Sequence, residues 1–451
     1  MAGSTAPVRV LAVADTDSYL KWGVATLATL PAGWQSRQVL LRNAVMPSPA
    51  QVAAAGRAGG DPATPVETLG LPALAALLLR ERPDVVLLAC TGPVVARLTA
   101  LPVLRGARRP VLLTGLPGIS IPASPRAVSF RRSCDLFLVH SHRERVAFLR
   151  AADGIAPQLG FGLARLPFLP ARPLPVVDPA ERPDAPLVFA SQARVPPARE
   201  DREHVLRSLA AAAPAVVKLR AGAGEQQTHR EEHPYDVLWA DLVARGEVAP
   251  DAVTFATGGM AEAVTASRGL VTVSSTAALE AIALGRPLLV ADDFGVSAEM
   301  INLVFEGSGC LGPLDALADG GLRRPDPDWL ADNYFHPDED ADWLVRLGAL
   351  VETRRGGGLP PVPPGPPSTP GQVVRQHLRL AFSVRGVARG ERVLTALRRT
   401  SRVLRAPGRT ARGRLPGRPG GAAPAAPRPA PPAARPTPPP ASPPSPADRG
   451  R

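Results

Sequence analysis

Residues 269–293 read GLVTVSSTAALEAIALGRPLLVADD, and this stretch decides the fold class. It starts and ends with apolar runs of the kind that is buried in a parallel sheet, and the Ala- and Leu-rich residues between them favour a helix. Thr276 stands near the expected start of that helix, and Gly285 stands where helices commonly end. A strand, a helix and a second strand in this order predict a parallel, right-handed crossover.

The same alternation extends over most of the chain. Apolar runs typical of buried strands lie at 8–14, 38–41, 84–89, 110–114, 135–140, 159–163, 187–190, 215–219, 253–256, 269–274 and 287–291. Segments with helical composition separate most of them. We therefore predict an α/β protein with two Rossmann-like, doubly wound domains.

Changes in composition mark the domain boundaries. The predicted segments are an N-terminal domain (7–166), a Pro-rich connector (167–186), a C-terminal domain (187–350), a Pro/Gly linker (356–371), an Arg-rich helix (372–404) and a disordered tail (405–451). The tail is predicted to be disordered because Pro, Ala and Arg dominate it and leave little apolar surface to bury.

The positive charge of the chain belongs to its C-terminal end. The net charge is +12, yet residues 356–451 hold 17 arginines against only Glu391 and Asp448. The two predicted domains are therefore close to neutral, which argues against nucleic acid as a partner. Attraction to a polyanion or an anionic membrane would belong to the Arg-rich segment.

The cysteines and the N-terminus predict a location in the cytoplasm. Cys90, Cys134 and Cys310 are far apart and form no CxxC pair, as expected of reduced thiols. The first residues show no secretory signal pattern, and no apolar run reaches about 18 residues. We expect a cytoplasmic protein, with peripheral contact to the inner membrane surface through the Arg-rich helix.

The start of the helix in 269–293 is a candidate anion site. Ser274, Ser275 and Thr276 follow a buried strand, and free N–H groups at a helix start attract anions. Glu280 lies one turn further on the same face, within reach of a ribose hydroxyl. The alternative interpretation is an ordinary helix cap followed by a solvent-facing Glu.

These motifs resemble the donor-binding unit of GT-B glycosyltransferases. The sequence is most similar there to capsule-polysaccharide and polysialic-acid transferases and CDP-glycerol glycerophosphotransferases, and the whole chain resembles an actinobacterial family described as glycosyltransferases. The resemblance implies that Ser274, Ser275 and Thr276 contact the donor phosphate and that Glu280 contacts the nucleotide's sugar. One feature differs, because the related enzymes have His-Pro directly after the Lys-containing strand.

A second cationic group follows that strand here. Lys218 and Arg220 end it, and His229 comes after a longer loop, so all three are candidates for the donor side, with His229 as a catalytic residue. The pair His233-Pro234 is the alternative for the histidine. The Ser191-Gln192 turn, together with Arg199 and Arg202, is a further candidate for holding a pyrophosphate. Surface charge beside a loop is the alternative interpretation. The letters of 229–233 also fit an H-x-x-E-H zinc pattern, but the proline at 234 disfavours the helix that this pattern needs.

The first domain supplies candidates for the acceptor side. Asp15, Asp17 and Lys21 follow its first strand, and Asp17 is the preferred catalytic base because it lies nearer the next helix. Capping of that helix is the alternative role of Asp17. Gly115 and Gly118 lie in another strand-end loop, where they allow close approach of a ligand or form a turn.

The predicted function is transfer of a sugar or polyol-phosphate unit from a nucleotide-activated donor to a glycan or lipid-linked acceptor. Asp15-Thr16-Asp17 has the letters of a DxD metal motif but lies in the wrong domain, so we predict metal-independent chemistry without a cofactor. Two alternatives stay open. One is a nucleotide-sugar 2-epimerase, and the other is a non-catalytic protein that binds glycan or nucleotide.

Overall fold

The structure is a computed structural model that describes residues 6–43, 46–58, 66–106, 108–170, 174–219 and 231–362. All of these fall within the first of two compact units, 1–396, and the second unit, 397–451, lies outside the described residues. The predicted Arg-rich helix (372–404), the predicted tail (405–451) and residues 363–371 of the linker also lie outside them.

The first half contains a seven-stranded parallel sheet. Its strands are β1 (Arg9–Ala14), β2 (Gln35–Leu41), β3 (Glu67–Leu69), β4 (Val85–Ala89), β5 (Val111–Gly115), β6 (Leu136–Val139) and β7 (Gly160–Leu163). Their order in the sheet is β3-β2-β1-β4-β5-β6-β7. The direction of winding reverses between β1 and β4, so the loops after these two strands border the crevice where open α/β sheets bind ligands.

Helices cover both faces of this sheet. They are α1 (Asp17–Ala28), α2 (Pro49–Ala58), α3 (Leu71–Glu81), α4 (Gly92–Leu98), α5 (Pro125–Arg131) and α6 (His142–Ala152). Alternate residues of β1 enter different core layers: Leu11 and Val13 pack in one, and Val10 and Ala12 in the other. A strand that is buried on both faces has to be apolar throughout, which explains the continuous run in the sequence.

The second half contains a six-stranded parallel sheet. Its strands are β8 (Leu187–Ala190), β9 (Ala215–Lys218), β10 (Val253–Ala256), β11 (Gly269–Thr272), β12 (Leu288–Ala291) and β13 (Leu311–Gly312). Its helices are α7 (Arg199–Ala211), α8 (Tyr235–Ala244), α9 (Met260–Ala266), α10 (Ala277–Ala283) and α11 (Pro327–Asp332). The strand order is β10-β9-β8-β11-β12-β13, so the switch point lies between β8 and β11.

The predicted fold class is confirmed, since two parallel sheets alternate with helices and each is doubly wound. The prediction omitted β3 and β13, which have only three and two residues and are too short to stand out as apolar runs. It also omitted α2. None of the helices in the described ranges is long and apolar enough to cross a bilayer.

The last described helix returns to the first sheet. This helix, α12 (Trp343–Arg355), buries Trp343, Leu347 and Val351 in the core layer of β1, β4 and β5. A Cβ on Gly162 in β7 would lie 2.9 Å from the Cβ of Trp343, so glycine allows this approach. The C-terminal domain predicted over 187–350 therefore includes residues that pack on the first half.

The connector between the halves is bound to α10. The amide of Leu174 donates to the carbonyl of Ala283 at 2.8 Å, and that of Val177 donates to the carbonyl of Gly285 at 2.9 Å. Gly285 has a φ of +65°, and a Cβ there would lie 2.1 Å from the carbonyl oxygen of Pro175. Glycine is required at this helix end both for the left-handed backbone and for the close contact with the connector.

Candidate functional site

The loop after β5 contacts the start of α10. Gly118 has a φ of +118°, and a Cβ added to it would lie 3.0 Å from Oγ1 of Thr276. A glycine is suited to both the positive φ and the short distance. The structure therefore brings together Gly118, which was predicted for the acceptor side, and Thr276, which was predicted for the donor side.

A lysine of the first half and a glutamate of the second half interact electrostatically. Asp17 is the first residue of α1, and its Oδ2 accepts a hydrogen bond from Nζ of Lys21, one turn later, at 2.9 Å. Burial raises the pKa of Glu280 in α10, and the positive charge of Lys21 acts in the opposite direction. The charge of Lys21 in the first half therefore acts on Glu280 in the second half.

Polar groups link three strand ends in the second half. Lys218 ends β9, is 4% exposed, and donates from Nζ to the carbonyl of Thr257 at 2.6 Å. Ser191, after β8, donates from Oγ to the carbonyl of Lys218 at 2.7 Å. Gln192 donates from Nε2 to the carbonyl of Ser274, after β11, at 2.9 Å. The predicted donor residues Lys218 and Ser274 are therefore joined through Ser191 and Gln192.

Lys218 and Gln192 each have a buried polar group that could interact with a bound molecule. Burial lowers the pKa of Lys218, and the negative charge of Glu262 partly offsets this effect. The Oε1 atom of Gln192 is buried and has no hydrogen-bond partner among the described residues. A buried acceptor without a donor is costly in a folded protein, so this atom is suited to accept a hydrogen bond from a bound molecule.

The three predicted phosphate contacts differ in their surroundings. Ser274 is 4% exposed and donates from Oγ to the carbonyl of Ile301 at 2.6 Å. Oγ of Ser275 accepts from the amide of Ala277 at 3.2 Å and so caps α10. Thr276 is the N-cap residue, and its side chain makes no cap bond. Both serines thus have a local structural role, while Thr276 lies at the contact with Gly118.

Asp15 is buried directly after the end of β1. It is 2% exposed, and its carboxylate accepts hydrogen bonds from the amide of Thr91 at 3.0 Å and from its hydroxyl at 2.5 Å. Burial raises the pKa of Asp15 from its ordinary value of 3.8 to about 6, against the opposing effects of Thr91 and Arg131. Asp15 therefore holds the β1 and β4 loops together, and Asp17 is the more exposed of the two.

The raised pKa of Asp15 predicts a pH dependence of stability. The folded protein holds this proton more tightly than the unfolded chain, so stability should fall as the pH rises from about 4 to about 6. A shift of two pKa units corresponds to about 3 kcal/mol at most. Asp15→Asn should remove this contribution. Urea unfolding of both proteins at pH 4 and pH 7 measures it, and an identical pH dependence would contradict the assignment.

A histidine and a glutamate after β6 are fully buried and support the site. His140 accepts at Nε2 from Nε1 of Trp22 at 3.0 Å, and burial lowers its pKa to about 4, so it is neutral. Glu144 accepts from the amides of Ser120 and His140 and, at 2.6 Å, from the hydroxyl of Tyr334. It therefore links the Gly118 loop to the second half.

The sequence analysis missed Glu144, although a signal was present. Ser141 and Glu144 have the spacing of a capping box, and Oγ of Ser141 does accept from the amide of Glu144 at 3.0 Å.

Gly115 was predicted, together with Gly118, to lie in a strand-end loop on the acceptor side. A Cβ added to Gly115 would lie 2.5 Å from Cζ2 of Trp22. Its role in the structure is thus close packing against α1.

The pyrophosphate role considered for Arg202 is wrong. The side chain is 1% exposed. Its five N–H groups are all used, by Glu231 and by the carbonyls of residues 192, 193, 196 and 233. The guanidinium has no donor left for a ligand. Two other predicted residues, Arg220 and His229, lie outside the described residues.

A cavity of about 290 Å³ lies beside β6, α1 and α12. Thr26, Leu138, His140, Leu166 and Trp343 are among the residues that line it. None of the predicted donor residues contributes to its lining. The cavity is bordered by α1, the start of the connector and α12, so it belongs to the first half and its returning segment.

Several solved structures are similar to this chain over most of its length, at low sequence identity and with low TM-scores. A Listeria monocytogenes protein described as "putative UDP-N-acetylglucosamine 2-epimerase" has 11% identity and a TM-score of 0.48, with 83% of this chain and 96% of that chain covered. The Anabaena protein HepE, solved with UDP and glucose, has 16% identity and a TM-score of 0.45, with 87% and 100% covered. Sucrose-phosphate synthase from Thermosynechococcus elongatus has 15% identity and a TM-score of 0.41, with 77% and 97% covered.

The family of the chain is established by its sequence. No curated protein matches it significantly. A family model described as "Putative glycosyltransferase (DUF6716)" matches residues 10–350, which include all thirteen strands apart from the first residue of β1. Because this match spans most of the chain, the protein belongs to that glycosyltransferase family.

Proposed function

We propose that the protein transfers a sugar unit from a nucleotide-activated donor to an acceptor hydroxyl, with polyol phosphate as an alternative transferred group. The observation that carries this proposal is the meeting of the two halves at Gly118 and Thr276, and the electrostatic effect of Lys21 on Glu280 supports it. Charged groups from two switch points then border one cleft, where a donor and an acceptor can be held together. Membership of the glycosyltransferase family supports the reaction class.

The second half would hold the donor. Lys218 supplies positive charge at the end of β9, and Gln192 offers its unpartnered Oε1 beside Ser274. Glu280 would accept a hydrogen bond from a sugar hydroxyl of the nucleotide. Positive charge and N–H groups stabilise the oxyanion that develops on the departing phosphate. Arg220 and His229 remain predictions for the same side.

The first half would hold the acceptor. Asp17 is the proposed base, because it is at the crevice and more exposed than Asp15. Its partner Lys21 keeps the carboxylate oriented at 2.9 Å. By resemblance to capsule-polysaccharide transferases, the acceptor would be a surface polysaccharide or a lipid-linked glycan in the cytoplasm. The Arg-rich segment 372–404 would keep the protein near an anionic membrane surface.

Product analysis with a panel of nucleotide sugars tests this function. The expected result is release of the nucleotide together with a glycosylated acceptor, at a rate that added Mg²⁺ or Mn²⁺ does not raise. Conversion of the donor into its 2-epimer without an acceptor would instead show an epimerase. Binding without turnover would show a non-catalytic protein. Either of these two results would refute the proposal.

Glu280→Gln tests the donor side. Loss of one charge-assisted hydrogen bond costs about 1.5–3 kcal/mol, so nucleotide affinity should fall about 10- to 100-fold. Calorimetric titration with the nucleotide of the accepted donor measures the change. Glu200→Gln, at an exposed position in the first turn of α7, is the matched control and should bind as the wild type does. Equal affinity of the Glu280 variant would contradict the assignment.

A further inference from the structure

Two histidines and a carboxylate that the proposed function does not use come together. His142 is the first residue of α6, while His336 and Asp340 lie in the segment that leads from α11 back to α12. One ligand atom from each residue lies within 4.8 Å of those of the other two. Nε2 of His142 is 2.9 Å from Oδ2 of Asp340, and the two imidazole rings are 5.5 Å apart.

The ring of His336 is in the state that a metal ligand requires. The residue is 0% exposed, and its Nδ1 lies 3.0 Å from the carbonyl oxygen of Pro337. A carbonyl oxygen only accepts, so Nδ1 carries the proton and Nε2 carries a lone pair. That Nε2 is buried and has no hydrogen-bond partner in the part of the chain that the structure describes. Binding of a cation would satisfy it.

We infer that His142, His336 and Asp340 bind one divalent transition-metal ion of the Zn²⁺ class. Two imidazoles and one carboxylate are a common ligand set for such ions, and a water molecule completes the fourth position. The bond from His336 Nδ1 to a backbone carbonyl is the outer contact that usually orients a ligating histidine. Two nearby cations are already paired with carboxylates, Arg165 with Asp338 at 2.8 Å and Arg145 with Asp342 at 3.0 Å.

The position of the site indicates what the ion does. His142 belongs to the first half, whereas His336 and Asp340 lie in the returning segment. Next to them, Asp342 accepts from Arg145 at 3.0 Å and from the amide of Leu163 at 2.8 Å. A bound ion would therefore fasten the returning segment to α6. The side chains of His142 and Asp340 are 36% and 38% exposed, which leaves a path for the ion to enter.

Metal titration of the full chain after treatment with a chelator tests the inference. Co²⁺ is the spectroscopic probe and Zn²⁺ the calorimetric one. The wild type should bind one equivalent of each, and Zn²⁺ should raise its melting temperature. His142→Ala and Asp340→Asn should each weaken binding at least about 10-fold and abolish the shift in melting temperature. These two residues are partly exposed, so their replacement leaves the buried core intact.

Two control variants make the test specific. Asp338→Asn changes an exposed carboxylate two residues from Asp340 and should bind both ions as the wild type does. His233→Ala interrupts the H-x-x-E-H letters at 229–233 and should also leave binding unchanged. The inference is overturned if the wild type binds no Zn²⁺ below about millimolar concentration. It is equally overturned if His142→Ala and Asp340→Asn bind like the wild type, or if only His233→Ala loses binding.

Discussion

Replacing Asp17 by asparagine should lower the rate of transfer by about 10²- to 10⁴-fold, because asparagine cannot take a proton from the acceptor hydroxyl. The carboxylate lies at the start of α1, next to the crevice between β1 and β4, and Lys21 holds it at 2.9 Å. Donor affinity should stay the same, since the donor is assigned to the second half. The measurements are turnover at saturating donor and nucleotide binding by calorimetry.

A matched control separates catalysis from helix stability. Asp328 is an exposed acid in the first turn of α11, so Asp328→Asn removes a similar charge from a helix start. This variant should keep full transfer activity. Undiminished turnover of the Asp17 variant would refute its role as base. A loss that is equal in both variants would also refute it.

Replacing Arg202 by methionine should lower the free energy of unfolding by about 3–5 kcal/mol, the usual cost of removing one partner of a buried ion pair. The guanidinium donates to Glu231 at 2.5 Å and lies 4.8 Å from the ring centre of Tyr235. It also holds the loop after β8, from which Gln192 reaches Ser274. The change would leave a carboxylate and several carbonyls without a donor.

Urea unfolding of Arg202→Met and of two further variants measures this effect. Arg207→Met is the control on the same helix, because the Arg207 side chain is 42% exposed and its buried partner Glu203 keeps ion pairs with Arg199 and Arg245. Loss of such an exposed cation costs about 0–1 kcal/mol. Adding Glu231→Gln to Arg202→Met should recover part of the loss by removing the uncompensated charge. Equal destabilisation by Arg202→Met and Arg207→Met would show that burial adds nothing to the role of Arg202.

The sequence was sufficient to predict eleven of the thirteen strands and the class of the fold. Strands that are buried on both faces need an unbroken apolar run, and glycine at the helix end before β12 is required by a φ of +65°. Local rules of this kind act over a few residues, so they can be read from the chain directly. They also located Asp17, Lys218 and Thr276, which all stand at strand or helix ends.

Only the tertiary structure decided which of these residues meet and which charges are buried. Arg202 looks like an exposed helix arginine in the sequence, yet the loop after β8, Glu231 and the carbonyl of His233 together use all its donors. His336 and His142 are almost two hundred positions apart and adjoin because α12 returns to the first sheet. Burial and contacts between distant segments depend on the packing of the whole chain, and no short stretch of sequence contains that information.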